Sequence, residues 1–298
     1  MSLPSALGIY VRAALGGVYK QRSLSPDTKL LSLPSERFAI SIDPAHVEAY
    51  LQTVGGSAPD GSTLPLGYLQ CYLNALPMNH LTSPGFPLNV IGSVHEKTEI
   101  QSLRNVKASE SLLATSRMLP EIERSDKGDW LFSHETEIES EGQAVMLLRN
   151  TFRVFNPERN KVQVEPKSGQ PAVDYQAEDS GFTKAGQFDF PLDTGRRYAT
   201  LNGDWNPIHV HPIPAKLFGF PSCIAHGMFS VCNMLHTEAV SDKLYEREDT
   251  AVTVTASFVR PTILPATVEA WYDGSEYAMG YTKGGEFKAT VKGEVVVK

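Results

Sequence analysis

Cysteine is scarce in this 298-residue chain: Cys71, Cys223 and Cys232 are too few and too irregularly spaced for a disulfide framework. None belongs to a C-x-x-C pair, so zinc binding and dithiol redox chemistry have little support, and reduced buried thiols are expected. Long apolar runs are also missing, and nothing approaches the roughly 20 residues of a membrane-spanning helix. Residues 1–22 hold a short apolar stretch interrupted by Arg12, without the charged-then-apolar layout of a secretion signal. A basic excess is absent too. The formal net charge of -7 argues against a surface built to hold nucleic-acid phosphates. These absences leave a cytoplasmic protein as the expectation, with a length that accommodates two domains of ordinary size.

What is present divides into two halves. The first runs to Phe155. Residues 156–180, rich in Pro, Gly, Lys, Glu and Gln, read as a linker, and 181–298 form the second half. Ala144–Phe155 is a strand candidate. Val252, Val254, Ala256 and Phe258 alternate with polar residues, as do Phe287, Ala289 and Val291, and Val295–Val297 continue the β tendency. Apolar residues at helical spacing from Met228 through Val231, Cys232 and Leu235 to Ala239 predict one helix before these strands. A helix followed by antiparallel strands gives an α+β class. Gly85-Phe86-Pro87 with Ile91-Gly92, and Gly219-Phe220-Pro221 with Ile224-Ala225, hint at a duplication with an offset of 134 residues.

The chemistry concentrates between Tyr198 and Met228. Asn202-Gly203-Asp204 and Asn206-Pro207 are turn formers, and a turn can aim Asp204, Asn206 and His209 at one point. A carboxylate and an imidazole converging on one water can take its proton and return it elsewhere, which is general acid–base catalysis. Histidine suits this role because its ordinary pKa lies near ~6.5. Gly227 stands at the predicted helix start, where backbone N–H groups lack intrahelical partners and a carbonyl can approach closely. Taken singly, each feature has a plainer reading. Asp-x4-His is usually a cap plus a surface histidine, and a glycine at a helix start is usually a packing or cap residue.

The ordered combination Tyr-Ala-x-x-x-Gly-Asp-x-Asn-Pro-Ile-His, then Gly-Phe, then Ile-Ala-His-Gly-Met, resembles the MaoC-like, (R)-specific enoyl-CoA hydratase family of hot-dog folds. The close match covers residues 198–228, with Asn202 where the family often has Ser. The resemblance implies that Asp204 and His209 activate a water, that Asn206 helps to position it, and that the Gly227 N–H binds a thioester carbonyl. It implies reversible hydration of a trans-2-enoyl thioester of coenzyme A or acyl carrier protein to the (3R)-3-hydroxyacyl thioester. Neither a metal nor an organic cofactor is implied, and His209-Val-His211 reads as no metal pair.

By the same resemblance the chain is a double hot-dog, an internal pseudo-dimer with residues 1–155 as an altered domain serving as acyl-chain platform. Association of two such chains into a homodimer is compatible with this. At the offset of 134, Gln70, Tyr72 and Ala75 stand where Asp204, Asn206 and His209 would be, and Leu64–Leu81 keeps apolar content suited to an acyl groove. Asp43 and His46 read as surface residues of a helix-like stretch. Two alternatives remain at this point: a hot-dog thioesterase, whose carboxylate usually lies on the central helix, and a non-catalytic acyl-binding partner protein.

Overall fold

The computed structural model describes residues 3–5, 8–9, 11–13, 15, 20, 24, 33–57, 60–90, 93–158, 173–246 and 249–298. Most of the 156–180 stretch, and the Ile91-Gly92 pair of the repeat, lie outside the described residues.

The first half contains β1 (Glu36–Ile40), α1 (Pro44–Val54), α2 (Tyr68–Tyr72), α3 (Ala75–Thr82), β2 (Val94–Ser102), β3 (Leu112–Arg124), β4 (Trp130–Ser140) and β5 (Gln143–Val154). The second contains β6 (Thr183–Phe190), α4 (Thr194–Asn202), α5 (Pro207–Val210), α6 (Pro212–Leu217), α7 (Gly227–Leu235) and α8 (Glu238–Leu244). It ends with β7 (Val252–Phe258), β8 (Ala266–Tyr272), β9 (Glu276–Lys283) and β10 (Glu286–Val297). All strands join one antiparallel sheet in the order β1-β3-β4-β5-β2-β7-β10-β9-β8-β6. That order is symmetric about the β2–β7 seam, so each strand of one half has a counterpart in the other.

The seam pairs Lys97 with Ser257, Ile100 with Val254 and Ser102 with Val252. Val252, Val254 and Ala256 are buried as their alternation predicts. One hydrophobic core runs through both halves, from Phe38, Tyr50 and Leu69 to Val231, Met234 and Val291. Burial of this apolar surface, worth about 25 cal/mol per Å² removed from water, is what joins the halves.

Three sequence expectations change. The helix from Met228 ends at Leu235 and a separate one begins at Glu238, because the buried Thr237 is extended and its hydroxyl donates to the Met234 carbonyl at 2.8 Å. Phe287, Ala289 and Val291 do not share one face. A bulge between Ala289 and Val291 puts Phe287 and Ala289 against Tyr175, while Val291 faces the main core. The 134-residue offset aligns unlike places: Gly85-Phe86-Pro87 follows α3, whereas Gly219-Phe220-Pro221 precedes α7.

Two isolated bridges, Thr63 with Lys107 and Ile224 with Ile263, mark the true correspondence, at spacings longer than 134. Gln70 and Tyr72 therefore lie on α2 and Ala75 at the start of α3, the counterparts of α7 and α8. In the first half the stretch between α1 and α2 stands where residues 203–226 stand in the second, and residues 55–67 contain no histidine. Its Asp60 is engaged by the Ser62 and Thr63 amides and by Lys107, which hold its carboxyl well below the usual range. Leu64, Leu66, Leu69, Leu73 and Leu76 fill the core of the first half.

The β7–β10 ladder approaches closely at Gly293, where a Cβ would fall 1.9 Å from the Thr255 carbonyl oxygen. Gly293→Ala is expected to lower unfolding free energy by about 1–3 kcal/mol, measured by urea denaturation. An unchanged midpoint would mean that the strand shifts freely.

Candidate active site

Helix α4 ends at Gly203, whose φ of 71° is the left-handed conformation that favours glycine at this position. The chain then makes a ladder of side-chain-to-backbone bonds. The Asp204 N–H donates to Asn202 Oδ1 at 2.9 Å, the Asn206 N–H to Asp204 Oδ1 at 3.0 Å, and the Ile208 N–H to Asn206 Oδ1 at 3.3 Å. Asn206 is the N-cap of α5 and Pro207 occupies its first turn. The short helix α5 carries His209 toward the carboxylate. Asn206 thus orients His209 through the helix start.

His209 is 9% exposed, and its Nδ1 lies 2.9 Å from the Ile224 carbonyl oxygen. A carbonyl only accepts, so Nδ1 carries the hydrogen, and in the neutral ring the lone pair is on Nε2. The Ile224 N–H donates back to the Ile208 carbonyl at 3.1 Å, tying the two segments together. His209 Nε2 stands 3.9 Å from Asp204 Oδ2. This is too long for a direct hydrogen bond, yet it lets one oxygen sit about 2.8 Å from both atoms.

Sequence reading missed three residues here. His226, the N-cap residue of α7, stacks on His209 with centroids 3.8 Å apart and 24° between planes. Its Nε2–H donates to the Asp204 backbone carbonyl at 3.1 Å and stands 3.6 Å from Asp204 Oδ2. Burial, followed by the neighbouring His209, lowers the His226 pKa to about 3, so this imidazole is neutral. Gly195, in the first turn of α4, lets that helix touch α5, since a Cβ there would fall 2.0 Å from the His209 carbonyl oxygen. His95 comes from β2 of the first half. It lies between Phe152 and Phe258 at 4.9 and 4.8 Å, and burial lowers its pKa to about 4. Of the three, His226 alone had a signal in the sequence, as part of the Ile-Ala-His-Gly-Met run.

Gly227 opens α7, directly after the His226 that binds Asp204. A Cβ at this glycine would fall 2.4 Å from the Phe258 ring, so packing alone already demands glycine. Its first-turn N–H is also the kind of donor a developing oxyanion needs. His211 is exposed and caps α6, accepting from the Ile213 N–H, so it stays apart from His209.

Asp204, His209 and His226 are close enough that their ligand atoms lie within 4.8 Å of one another. A cation there would displace the His226 Nε2 hydrogen onto Nδ1, which is buried and finds no acceptor among the described residues. The trio suits proton transfer better than chelation.

A MaoC like domain matches residues 181–289. The 3-hydroxyacyl-thioester dehydratase X of Mycobacterium tuberculosis (strain ATCC 25618 / H37Rv) is 30% identical over 273 residues, covering 90% of this chain and 88% of that protein. The chain belongs to the MaoC-like dehydratase family.

The crystal structure of HtdX from Mycobacterium tuberculosis superposes with a TM-score of 0.68 at 25% identity, covering 88% of this chain and 99% of that one. A MaoC-like dehydratase from Phytophthora capsici gives a TM-score of 0.68 at 17% identity, over 92% and 98% of the two chains, and supports the fold alone. The architecture of this MaoC-like chain is accordingly the α+β double hot-dog. No helix among the described residues is long and apolar enough to cross a membrane.

Two expected outcomes follow for this site. Gly195→Ala would displace His209, and kcat is expected to fall by about 100-fold; wild-type kcat in a folded variant would show that α4 yields instead. The second concerns acid stability. The pKa of His226 is lowered to about 3, and those of His95 and His236 to about 4, each mainly by burial, against an ordinary 6.5. The unfolded chain therefore binds more protons below pH 6.5. Stability is fully present above that value and lost as pH falls toward 4, by up to about 1.4 kcal/mol per pH unit for each histidine. Urea midpoints at pH 7, 6, 5 and 4.5 should decline in this window, and a flat profile would contradict neutral burial.

Proposed function

We propose that this protein is a hydro-lyase that interconverts trans-2-enoyl thioesters and (3R)-3-hydroxyacyl thioesters, with Asp204 and His209 as its catalytic pair. Family membership supports the reaction class. The observation that carries the residue assignment is the 3.9 Å separation of Asp204 Oδ2 and His209 Nε2, with the His209 tautomer fixed by Ile224.

In the hydration direction a water spans the two side chains. His209 Nε2 takes one of its protons as the oxygen bonds to C3 of the enoyl group, and Asp204 steadies the resulting imidazolium. The C2=C3 electrons move onto the thioester oxygen, where the Gly227 N–H supports the negative charge. The enolate then collapses and takes a proton at C2 from the imidazolium. One water hydrogen ends on the C3 hydroxyl and the other on C2. Asn206 keeps His209 in place through the cap of α5.

The thioester is carried by coenzyme A or acyl carrier protein. Residues 1–155 act as the platform against which residues 181–298 present the chemistry, joined by 156–180. The thioesterase reading has little support: α7 contains no carboxylate, and Glu238 is exposed at the start of α8. The complete Asp204, Asn206 and His209 set argues equally against a protein that only binds acyl groups.

Loss of the conjugated enoyl absorbance, with crotonyl-CoA and longer trans-2-enoyl-CoA thioesters, tests the assignment. Asp204→Asn and His209→Ala are each expected to lower kcat by about 100-fold or more while remaining folded. Wild-type turnover in either variant would remove that side chain from the mechanism.

A further inference from the structure

The catalytic loop hangs from the C-terminus of α4, and helix ends expose carbonyls that need donors from elsewhere. Here the donors come from the other half of the chain. His46, on α1, has Nε2 at 3.1 Å from the Leu201 carbonyl oxygen and Nδ1 at 3.0 Å from the Tyr68 hydroxyl. The carbonyl requires Nε2 to carry the hydrogen, and in the neutral ring Tyr68 then donates to Nδ1. This leaves one tautomer of a half-buried imidazole, held from both sides. Tyr68 and Tyr72 also meet the ring edge-on at 5.6 and 5.4 Å. Asn74, between α2 and α3, donates from Nδ2 to the next carbonyl, that of Asn202, at 3.4 Å.

These two carbonyls immediately precede the turn. Asn202 then holds the Asp204 amide through its own side chain, and Asp204 Oδ1 holds the amide of Asn206. We propose that His46 and Asn74 are positioning residues for the reaction, by which the first half sets the orientation of the Asp204 carboxylate. The proposal rests on the hydro-lyase reading for its kinetic consequence only. Its structural content is that the loop from Asn202 to Asn206 keeps its bonds because the first half grips the two carbonyls before it. Asp43, the neighbour that shares the α1 start, has a separate role as N-cap, accepting from the Ala45 N–H at 2.9 Å. Asp43 is exposed, as a surface residue is expected to be, whereas His46 is half-buried and bonded at both ring nitrogens.

The test uses the full chain with His46→Leu, His46→Gln and Asn74→Leu. Leucine keeps bulk and removes the donor, whereas a glutamine amide can restore an N–H toward Leu201. With an enoyl-CoA substrate, His46→Leu is expected to lower kcat about tenfold with KM within about twofold, Asn74→Leu less, and His46→Gln to recover most of kcat. Hydrogen exchange is measured alongside on a peptide spanning residues 202–208. The Asp204 and Asn206 amides should lose protection in His46→Leu and regain it in His46→Gln, whether or not the substrate has been correctly chosen. Unchanged exchange and unchanged kcat in a folded His46→Leu would overturn the proposal, as would loss that glutamine does not repair. If the wild type fails to turn over enoyl thioesters while exchange responds as expected, the substrate reading fails and the positioning role stands.

Discussion

The bond between His209 Nδ1 and the Ile224 carbonyl is the contact on which the rest of the site depends. It fixes the tautomer of the neutral ring, in which the Nε2 lone pair lies toward Asp204. It also binds the catalytic loop to the segment that leads into α7. The reciprocal Ile224-to-Ile208 backbone bond makes this a two-point clamp, and Ile224 is itself fixed by its bridge to Ile263 beyond the end of β7. An imidazole held on a four-residue helix would otherwise be poorly directed, since so short a helix has little stability of its own. His226 adds a second tie, from the start of α7 to the Asp204 backbone. Asp204, His209 and the N-terminus of α7 are thereby mutually located by main-chain carbonyls, which carry no titratable charge.

The sheet supplies the larger constraint. Because β2 and β7 pair antiparallel at its centre, the two halves are related by an approximate two-fold, and corresponding loops face unlike surroundings. One loop is long and carries Asp204 and His209, the proposed catalytic pair; its counterpart is short, and its single acid, Asp60, is tied down by Lys107. The first half nevertheless reaches the chemistry: His95 stands against Phe258, the residue packed on Gly227. The first half, which lacks the motif, thus keeps contacts to the other half's site.

Much of this was legible in the sequence where local rules dominate. The alternation of Val252, Val254 and Ala256 gave a strand buried on that face, and the turn formers around Asp204 lie where the helix breaks. Asp204 and His209 come together because an Asx-type turn and a proline-led helix are encoded within a few residues. The failures came where tertiary contacts overrode periodicity. Leu235 and Ala239 keep helical spacing across a break that only the buried Thr237 hydroxyl explains, and Ala239 is exposed. A bulge reversed the face of Ala289, and bulges leave little trace in apolar spacing. His46 looked like a surface residue because its partner carbonyl is 155 positions away. The three-residue likeness at offset 134 gave the wrong alignment, since the loops of the two halves differ in length.

The most direct test of a water held on one face of the substrate between Asp204 and His209 is the configuration of the product. Wild-type protein, given a trans-2-enoyl-CoA that it turns over, should yield the 3-hydroxyacyl thioester in the (3R) form alone, resolved by chiral chromatography after hydrolysis. A racemic product would contradict a water held on one face, and a pure (3S) product would contradict the (R)-specific reading. Release of free coenzyme A from an unhydrated acyl group would contradict the reaction itself.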